Sequence, residues 1–433
     1  MAKEKIRTAD DEAAEYLALQ LSKSRESRFE NMLVTVLTMC FVFFFAVFFW
    51  ILPDKDFSEE ENTTLQTMPE FTVDGFLHGG YTQDFGTYMA DQFPCRNFFV
   101  GLKALTETAQ LKGQNNGVII ADDGYLVART DYPDEQKLEN NLSSAGKFIS
   151  VAEQNGIDCT VAFAGRKMDV LQDELPTLYG SYYSDRIFGI LDDSCKEKDI
   201  EYIDLRAALL ATGEKNLYYK TDHHWTSLGA YYAYTEIAKE MGFEPYSLSD
   251  YEVETVTDEF YGTTWSTAGV KWTEGDTIEY FRWNGDENVT MKIESPRYEY
   301  KDCTETVENG IDYKVFNSFY VREMLEGKDK YASFLGGNNN SMVYLTMAQN
   351  DGAPVEERET VVLLRDSFAD SLAPFLARHF DIILIDLRTA SPDTIGLCIE
   401  KGINDIIFVY NMETLTTSND LGKLNMGLSN YRK

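Results

Sequence analysis

Met32–Leu52 reads MLVTVLTMCFVFFFAVFFWIL, 21 residues without a charged side chain. A helix rises about 1.5 Å per residue, so this run reaches roughly 30 Å, the thickness of a bilayer's hydrocarbon core. Lys23, Arg25 and Arg28 precede it, and Pro53 and Asp54 follow. The basic flank predicts an N-terminus inside and the remainder outside. A cleaved signal peptide has a shorter apolar region and a small-residue cleavage site, and the run shows neither. A buried core helix is the other alternative, but the run is long and solidly aromatic for one. The expected organisation is a cytoplasmic tail at 1–31, a transmembrane helix at 32–52 and a membrane-proximal linker at 53–75. An extracytoplasmic domain follows at 76–433, with an insertion around 246–350.

Of the 433 residues, 39 are basic and 72 acidic, a formal net charge of -33. A general nucleic-acid surface needs the opposite sign, so no nucleic-acid partner is expected. The six cysteines form no CxxC or zinc spacing, and sequence alone cannot pair them. No metal or other cofactor is called for.

The periodicity of the folded part predicts an α/β architecture. Gly117–Ala128 reads as a hairpin turning at Asp123-Gly124, Leu138–Asn155 as a helix and Ile157–Phe163 as a buried strand. Thr226–Met241 is a helix capped by Thr226 or Ser227 and ended by Gly242. Further on, VVLLR (361–365), DIILID (381–386) and DIIFVY (405–410) are solid apolar strands separated by helical patterns near 368–378 and 395–401. Strands alternating with helices imply a parallel sheet covered on both faces, with ligands beyond the strands' C-terminal ends. The 246–350 stretch has no clean helical period and reads as an insertion that shapes a groove.

Asp366 and Ser367 follow one of those strands, where a serine projects into the crevice and its N–H lies at a helix N-terminus. Two of the four histidines stand in Asp222-His223-His224-Trp225. In extended backbone, residues i and i+2 share a side, so Asp222 can orient His224. A relay follows in which His224 takes the proton of Ser367 and Asp222 steadies the imidazole. Asp366 better suits shaping the turn. Leu335-Gly336-Gly337-Asn338-Asn339 supplies N–H groups and an amide, so Gly337, Asn338 and the Ser367 N–H are oxyanion candidates, against a plain Gly-Asn turn. Lys167, Arg365 and Trp225 are the candidate substrate contacts; a solvated role for Lys167 stands beside it, and Trp225 suits packing beneath the site. Asp222 with the two histidines could instead hold a metal. Trp265, Trp272 and Trp283 could stack on sugars or simply pack locally.

These residues resemble the bacterial DHHW protein family, named for Asp222-His223-His224-Trp225. The resemblance runs through FSEEENTTL, DQFPCRN, NNGVIIADDGYL, TDHHWTSLGAYYAY, FYGTTWS, FLGGNN, RDSFADSLAPFLARHFDIILIDLR and NDIIFVYN. The family is similar to the SGNH-like domains of alginate and other envelope-polysaccharide O-acetyltransferases. Their Asp-x-His-Trp motif falls on Asp222, His224 and Trp225, and their serine on Ser367. Arg365 stands where SGNH enzymes have glycine, and the motif order is circularly permuted. The resemblance implies an SGNH-hydrolase-like parallel sheet flanked by helices. It also implies a single-pass protein of the bacterial cytoplasmic membrane that moves acetyl groups onto a cell-envelope glycan. A multispanning membrane acyltransferase would supply the acetyl group. A carbohydrate acetyl-esterase and a non-catalytic glycan-binding scaffold remain the alternatives.

Overall fold

The computed structural model describes residues 9–58, 60, 63–130, 133–176, 179, 182–296, 298–337, 342–348 and 358–432. The chain divides into two compact units, residues 1–58 with 63–100, and residues 59–62 with 101–433.

In the first unit, α1 (Ala9–Ile51) contains Ser27–Ile51, 25 residues apolar enough to cross a membrane. Phe43 is 72% and Trp50 66% exposed, large apolar side chains with no protein cover. At its C-terminal end Phe45 stacks on Phe93 and Phe49 meets Tyr88 edge-on. The shorter α2 (Gly80–Asp91) follows, and α3 (Arg96–Ala109) begins in this unit and ends in the second.

The second unit is built on a nine-stranded sheet. A small hairpin comes first, β1 (Val118–Ile120) and β2 (Leu126–Ala128), turning through Asp123 at φ 53° and Gly124 at φ 80°. Next come α4 (Glu135–Gln154), β3 (Asp158–Ala164), α5 (Tyr182–Glu197), β4 (Ile203–Asp204), α6 (Leu205–Thr212) and α7 (Ser227–Met241). Thr226 caps α7 through Gly229 N–H, and Gly242 ends it at φ 76°. The segment expected as an insertion forms an antiparallel pair, β5 (Tyr251–Phe260) and β6 (Asp276–Trp283), around the short α8 (Thr263–Ala268). It continues into β7 (Val289–Glu294), β8 (Thr304–Glu308), β9 (Ile311–Phe316) and β10 (Met342–Met347). The last elements are β11 (Thr360–Arg365), α9 (Ala369–Ala377), β12 (Asp381–Asp386), α10 (Thr394–Lys401), β13 (Asp405–Asn411) and α11 (Met412–Thr417).

The order across the large sheet is β8-β9-β7-β10-β12-β11-β13-β3-β4. From β12 to β4 neighbouring strands are parallel, as expected from their solid apolar runs. From β8 to β12 they are antiparallel, so most of the irregular segment extends the same sheet. Alternate side chains feed two cores: Val361 and Leu363 join the cluster with Ala230 and Leu372, while Val362 and Leu364 join Phe148 and Leu191. Helices therefore lie on both faces of the parallel half. The register sets Arg365 opposite Val409, so Ser367 and Asn411, each two residues on, leave adjacent strands at the same level.

Candidate active site

The loop carrying Asp222-His223-His224 is a narrow excursion between Leu217 and Thr226. Tyr219 N–H bonds His224 O and Thr226 N–H bonds Leu217 O. Asp276 on β6 pins its leading edge: its carboxylate accepts from Lys220 N–H, Thr221 N–H and the Thr221 hydroxyl at 2.6, 2.6 and 2.5 Å. The Trp225 indole is fully buried and donates to Phe368 O and Ser371 Oγ, both at 3.0 Å. That bond ties the histidine loop to the start of α9, which carries the serine.

Asp222 is 2% exposed and accepts through both oxygens. Oδ1 takes the His224 backbone N–H at 3.0 Å and His224 Nδ1 at 2.6 Å. Oδ2 takes Thr263 N–H at 2.8 Å and Thr263 Oγ1 at 3.0 Å. Burial alone would raise this carboxyl, but His223, His224 and the Thr263 N–H outweigh it and hold it well below the usual carboxylate range. Gly262 makes the approach possible, since a Cβ there would sit 2.3 Å from Asp222 Cβ and Oδ2.

His224 Nε2 lies 2.7 Å from Ser367 Oγ, across 143 residues of chain. The ring stacks on Tyr331 (centroids 3.9 Å, planes 6° apart), and the Tyr331 hydroxyl lies 3.1 Å from Ser367 O and 3.0 Å from Ser371 Oγ. Among the described residues the Ser367 N–H has no hydrogen-bond partner. Asp366 shapes the turn: it accepts from Phe368 N–H at 3.0 Å, Asn411 N–H at 2.7 Å and the Thr414 hydroxyl at 2.7 Å, bridging β11 and β13. Burial raises its carboxyl despite those bonds.

Ser367, His224 and Asp222 are thus brought together, and the other candidate residues are placed apart from them. Trp225 offers no surface to a substrate and its N–H is engaged. Arg365 is 1% exposed and pairs with Asp370 at 2.7 Å beneath the serine turn, so it has almost no surface to offer. Lys167 is not solvated. Its ammonium donates to Leu126 O at 2.7 Å and Lys220 O at 3.0 Å, and burial lowers it to about 8 against the pull of Asp276 and Asp222. Gly337 directs its N–H to Phe334 O at 3.3 Å, closing a turn whose Gly336 O accepts from Tyr300, so the plain-turn reading describes it. Asn338 lies outside the described residues. Trp265 is buried under Lys271 and Lys328, Trp283 packs on Tyr246, and Trp272 is exposed.

Asp222, His223 and His224 offer ligand atoms within 4.8 Å of one another. Each Asp222 oxygen already accepts two protein donors, and the two His224 nitrogens face Asp222 and Ser367.

Sequence reading missed Thr263, Tyr331, Asp276 and Asn411. Asn411 had a signal: it ends a solid apolar strand, as Ser367 nearly does. One N–H of its amide donates to Gly165 O at 2.7 Å, its side-chain oxygen caps α11 through Glu413 N–H, and the residue lines a small pocket with His223, Lys167 and Glu413.

Residues 118–282 match the family model of the SGNH hydrolase-like domain of the acetyltransferase AlgX, and residues 202–385 match that of the DHHW proteins. The crystal structure of a DHHW family protein from Eubacterium siraeum superposes with a TM-score of 0.56 at 22% identity, covering 72% of this chain and 96% of that one. Bacillus cereus PatB1 superposes at 0.53 and, with a sulfonyl adduct, at 0.52, each at 18% identity over 70% of this chain and 98% of that one. No curated protein matches. At these identities the structural likeness is one of fold. Together with the two family matches, it shows a domain of the SGNH hydrolase-like fold that is similar to the DHHW proteins.

Proposed function

We propose that this protein is a membrane-anchored serine acyltransferase that moves acetyl groups onto an extracytoplasmic cell-envelope polysaccharide. The observation that carries the reading is the 2.7 Å approach of Ser367 Oγ to His224 Nε2, with Asp222 on the other ring nitrogen. The match to the AlgX acetyltransferase domain supports acetyl as the group moved.

In the first half-reaction Ser367 Oγ attacks the carbonyl carbon of a donor acetyl ester and His224 Nε2 takes the serine proton. Asp222 stabilises the imidazolium. The Ser367 N–H, in the turn before α9, faces the developing oxyanion, and Asn411 leaves the neighbouring strand at the same level. The donor's ester C–O bond then breaks, and His224 returns the proton to the leaving alcohol. In the second half-reaction a sugar hydroxyl replaces that alcohol, loses its proton to His224 and attacks the acetyl-serine, which restores Ser367. Water in the same place gives an esterase, so exclusion of water decides the outcome.

The uncharged run from Met32 within the Ser27–Ile51 span anchors the chain, with Lys23, Arg25 and Arg28 on the cytoplasmic side. One span cannot carry an acetyl group across the bilayer, so a multispanning acyltransferase supplies it. The test uses the detergent-solubilised full chain with p-nitrophenyl acetate. A burst of p-nitrophenol and an acetyl group on Ser367 are expected, both lost in Ser367→Ala. A sulfonyl fluoride should modify the same serine. A folded wild-type chain that forms no acyl-enzyme with either reagent overturns the reading.

A further inference from the structure

His223 is left over by the relay, yet its surroundings are ordered. Its Nδ1 lies 2.8 Å from Thr263 Oγ1, and its ring lies 3.8 Å from that of His224, centroid to centroid. A hydroxyl has one proton, and the ionised Asp222 carboxylate can only accept. Thr263 therefore donates to Asp222 Oδ2, and His223 Nδ1 must carry the proton that reaches Thr263. Burial, then the neighbouring His224, moves the His223 ring below its ordinary range against the pull of Asp222 and Glu413, which favours its neutral form. A neutral ring protonated on Nδ1 has a bare lone pair on Nε2.

That nitrogen has no partner among the described residues. The side chain is 33% exposed and lines a small surface pocket beside Asn411. The Glu413 carboxylate, in the same pocket, also has no partner among the described residues. Of the two cations there, Arg166 grips Asp169 at 2.8 and 2.7 Å through Nε and Nη2 and leaves Nη1 without a hydrogen bond among the described residues, and Lys167 is held by two carbonyls. The pocket presents two unfilled acceptors beside the spare N–H groups of Arg166 and Asn411, and a sugar hydroxyl, which both donates and accepts, suits that mixture.

We infer that His223 positions the acceptor: its Nε2 and the Glu413 carboxylate receive hydroxyls of a neutral sugar ring, and so bring a neighbouring hydroxyl to His224. The inference rests on the acyl-transfer reading and names its acceptor class. Both imidazoles hang from one carboxylate, His224 directly and His223 through Thr263. One base takes the reacting proton and the other fixes the ring that bears it.

The test compares His223→Asn, whose amide N–H still reaches Thr263 Oγ1 but leaves no acceptor at the Nε2 position, with His223→Gln, whose amide reaches that position. Full-length enzyme is acetylated with p-nitrophenyl acetate, and the acetyl group is partitioned between water and methyl α-D-glucopyranoside. The Asn variant should keep the wild-type burst while transfer to the glucoside falls about three- to tenfold, the worth of one hydrogen bond, and Gln should recover part of it. Equal loss of burst and transfer, or no loss of either, overturns the inference. If wild type forms no acyl-enzyme, the catalytic reading fails, and the subsite is judged by saturation-transfer NMR of the glucoside on Ser367→Ala with and without His223→Asn. Binding that ignores His223, or favours methyl glucuronide, then overturns it.

Discussion

Asp222→Asn separates a proton relay from a polar knot that merely holds a loop. Each carboxylate oxygen accepts one backbone N–H and one side-chain proton, from His224 at Oδ1 and from Thr263 at Oδ2. A carboxamide replaces one oxygen with a donor, so either orientation sets its NH₂ against a backbone N–H. Losing one bond to a charged acceptor and weakening the rest costs about 2–5 kcal/mol of stability. The rate effect is worked separately. A carboxylate and an imidazolium about 4 Å apart attract by about 4 kcal/mol at an effective dielectric near 20. At 1.36 kcal/mol per decade, that is about a thousandfold in acylation. With NH₂ toward Nδ1 the loss is greater, because the His224 proton moves to Nε2 and cannot make room for that of serine. The assay is the p-nitrophenol burst, with thermal melting as the folding control. Thr263→Val, which keeps the backbone donor and deletes the hydroxyl, should fall only about tenfold. A folded Asp222→Asn chain within threefold of wild type would refute the relay.

Trp225→Phe keeps the ring but leaves Phe368 O and Ser371 Oγ without the indole donor. It should lose about 1–3 kcal/mol in a melting experiment and slow acylation by loosening the serine turn. Gly262→Ala drives a methyl into Asp222 and should lose more acylation than its change in melting temperature explains, since the displaced group is the one orienting His224. His379 sits among Tyr234, Phe243 and Tyr246, and burial, helped by Arg358 and Arg378, lowers its imidazole to about 4. The unfolded chain binds that proton near pH 6.5, so this stability is complete above 6.5 and is lost as pH falls toward 4. Denaturant titrations of His379→Gln should flatten that limb by roughly 1–2 kcal/mol, a figure reduced for partial exposure. The anchor predicts that the full chain resists carbonate extraction. A chain retaining only Cys95, which is exposed, should react with an impermeant maleimide from outside the cell; release by carbonate, or labelling only after lysis, contradicts the anchor or its orientation.

The parallel half of the sheet was legible because strands buried on both faces read as unbroken apolar runs; Asp381–Asp386 is one such strand, and Asp405–Asn411 runs one residue beyond the sequence reading. The antiparallel half hid in plainer code. In β7, Val289, Met291 and Ile293 are buried and alternate with Thr290, Lys292 and Glu294, a period of two that aromatic and threonine-rich neighbours obscured. The nearness of Asp222 to His224 followed from backbone geometry within three residues. Thr263 and Asp276 lie 41 and 54 residues further on in the chain, and only tertiary folding brings them in.

The misplaced charges share one cause. Lysine and arginine are ordinarily exposed, so Lys167 and Arg365, standing after buried strands near the crevice, read as hands held out to a ligand. In the fold Arg365 pairs with Asp370 in the first turn of α9, with Asp386 at 3.9 Å, and Asp386 is itself held by Arg388 at 2.6 Å. An ion pair buried this completely contributes little net stability, but removing one partner leaves the other charged in apolar surroundings, at about 3–5 kcal/mol. Its location explains its use better than its energy does. The cluster lies under the turn between β11 and α9 that aims the serine, where glycine in related folds would leave the backbone free. Arg365 thus acts on the crevice from below, holding in register the turn that carries Ser367, and Arg365→Met should loosen that turn before it alters binding of any substrate.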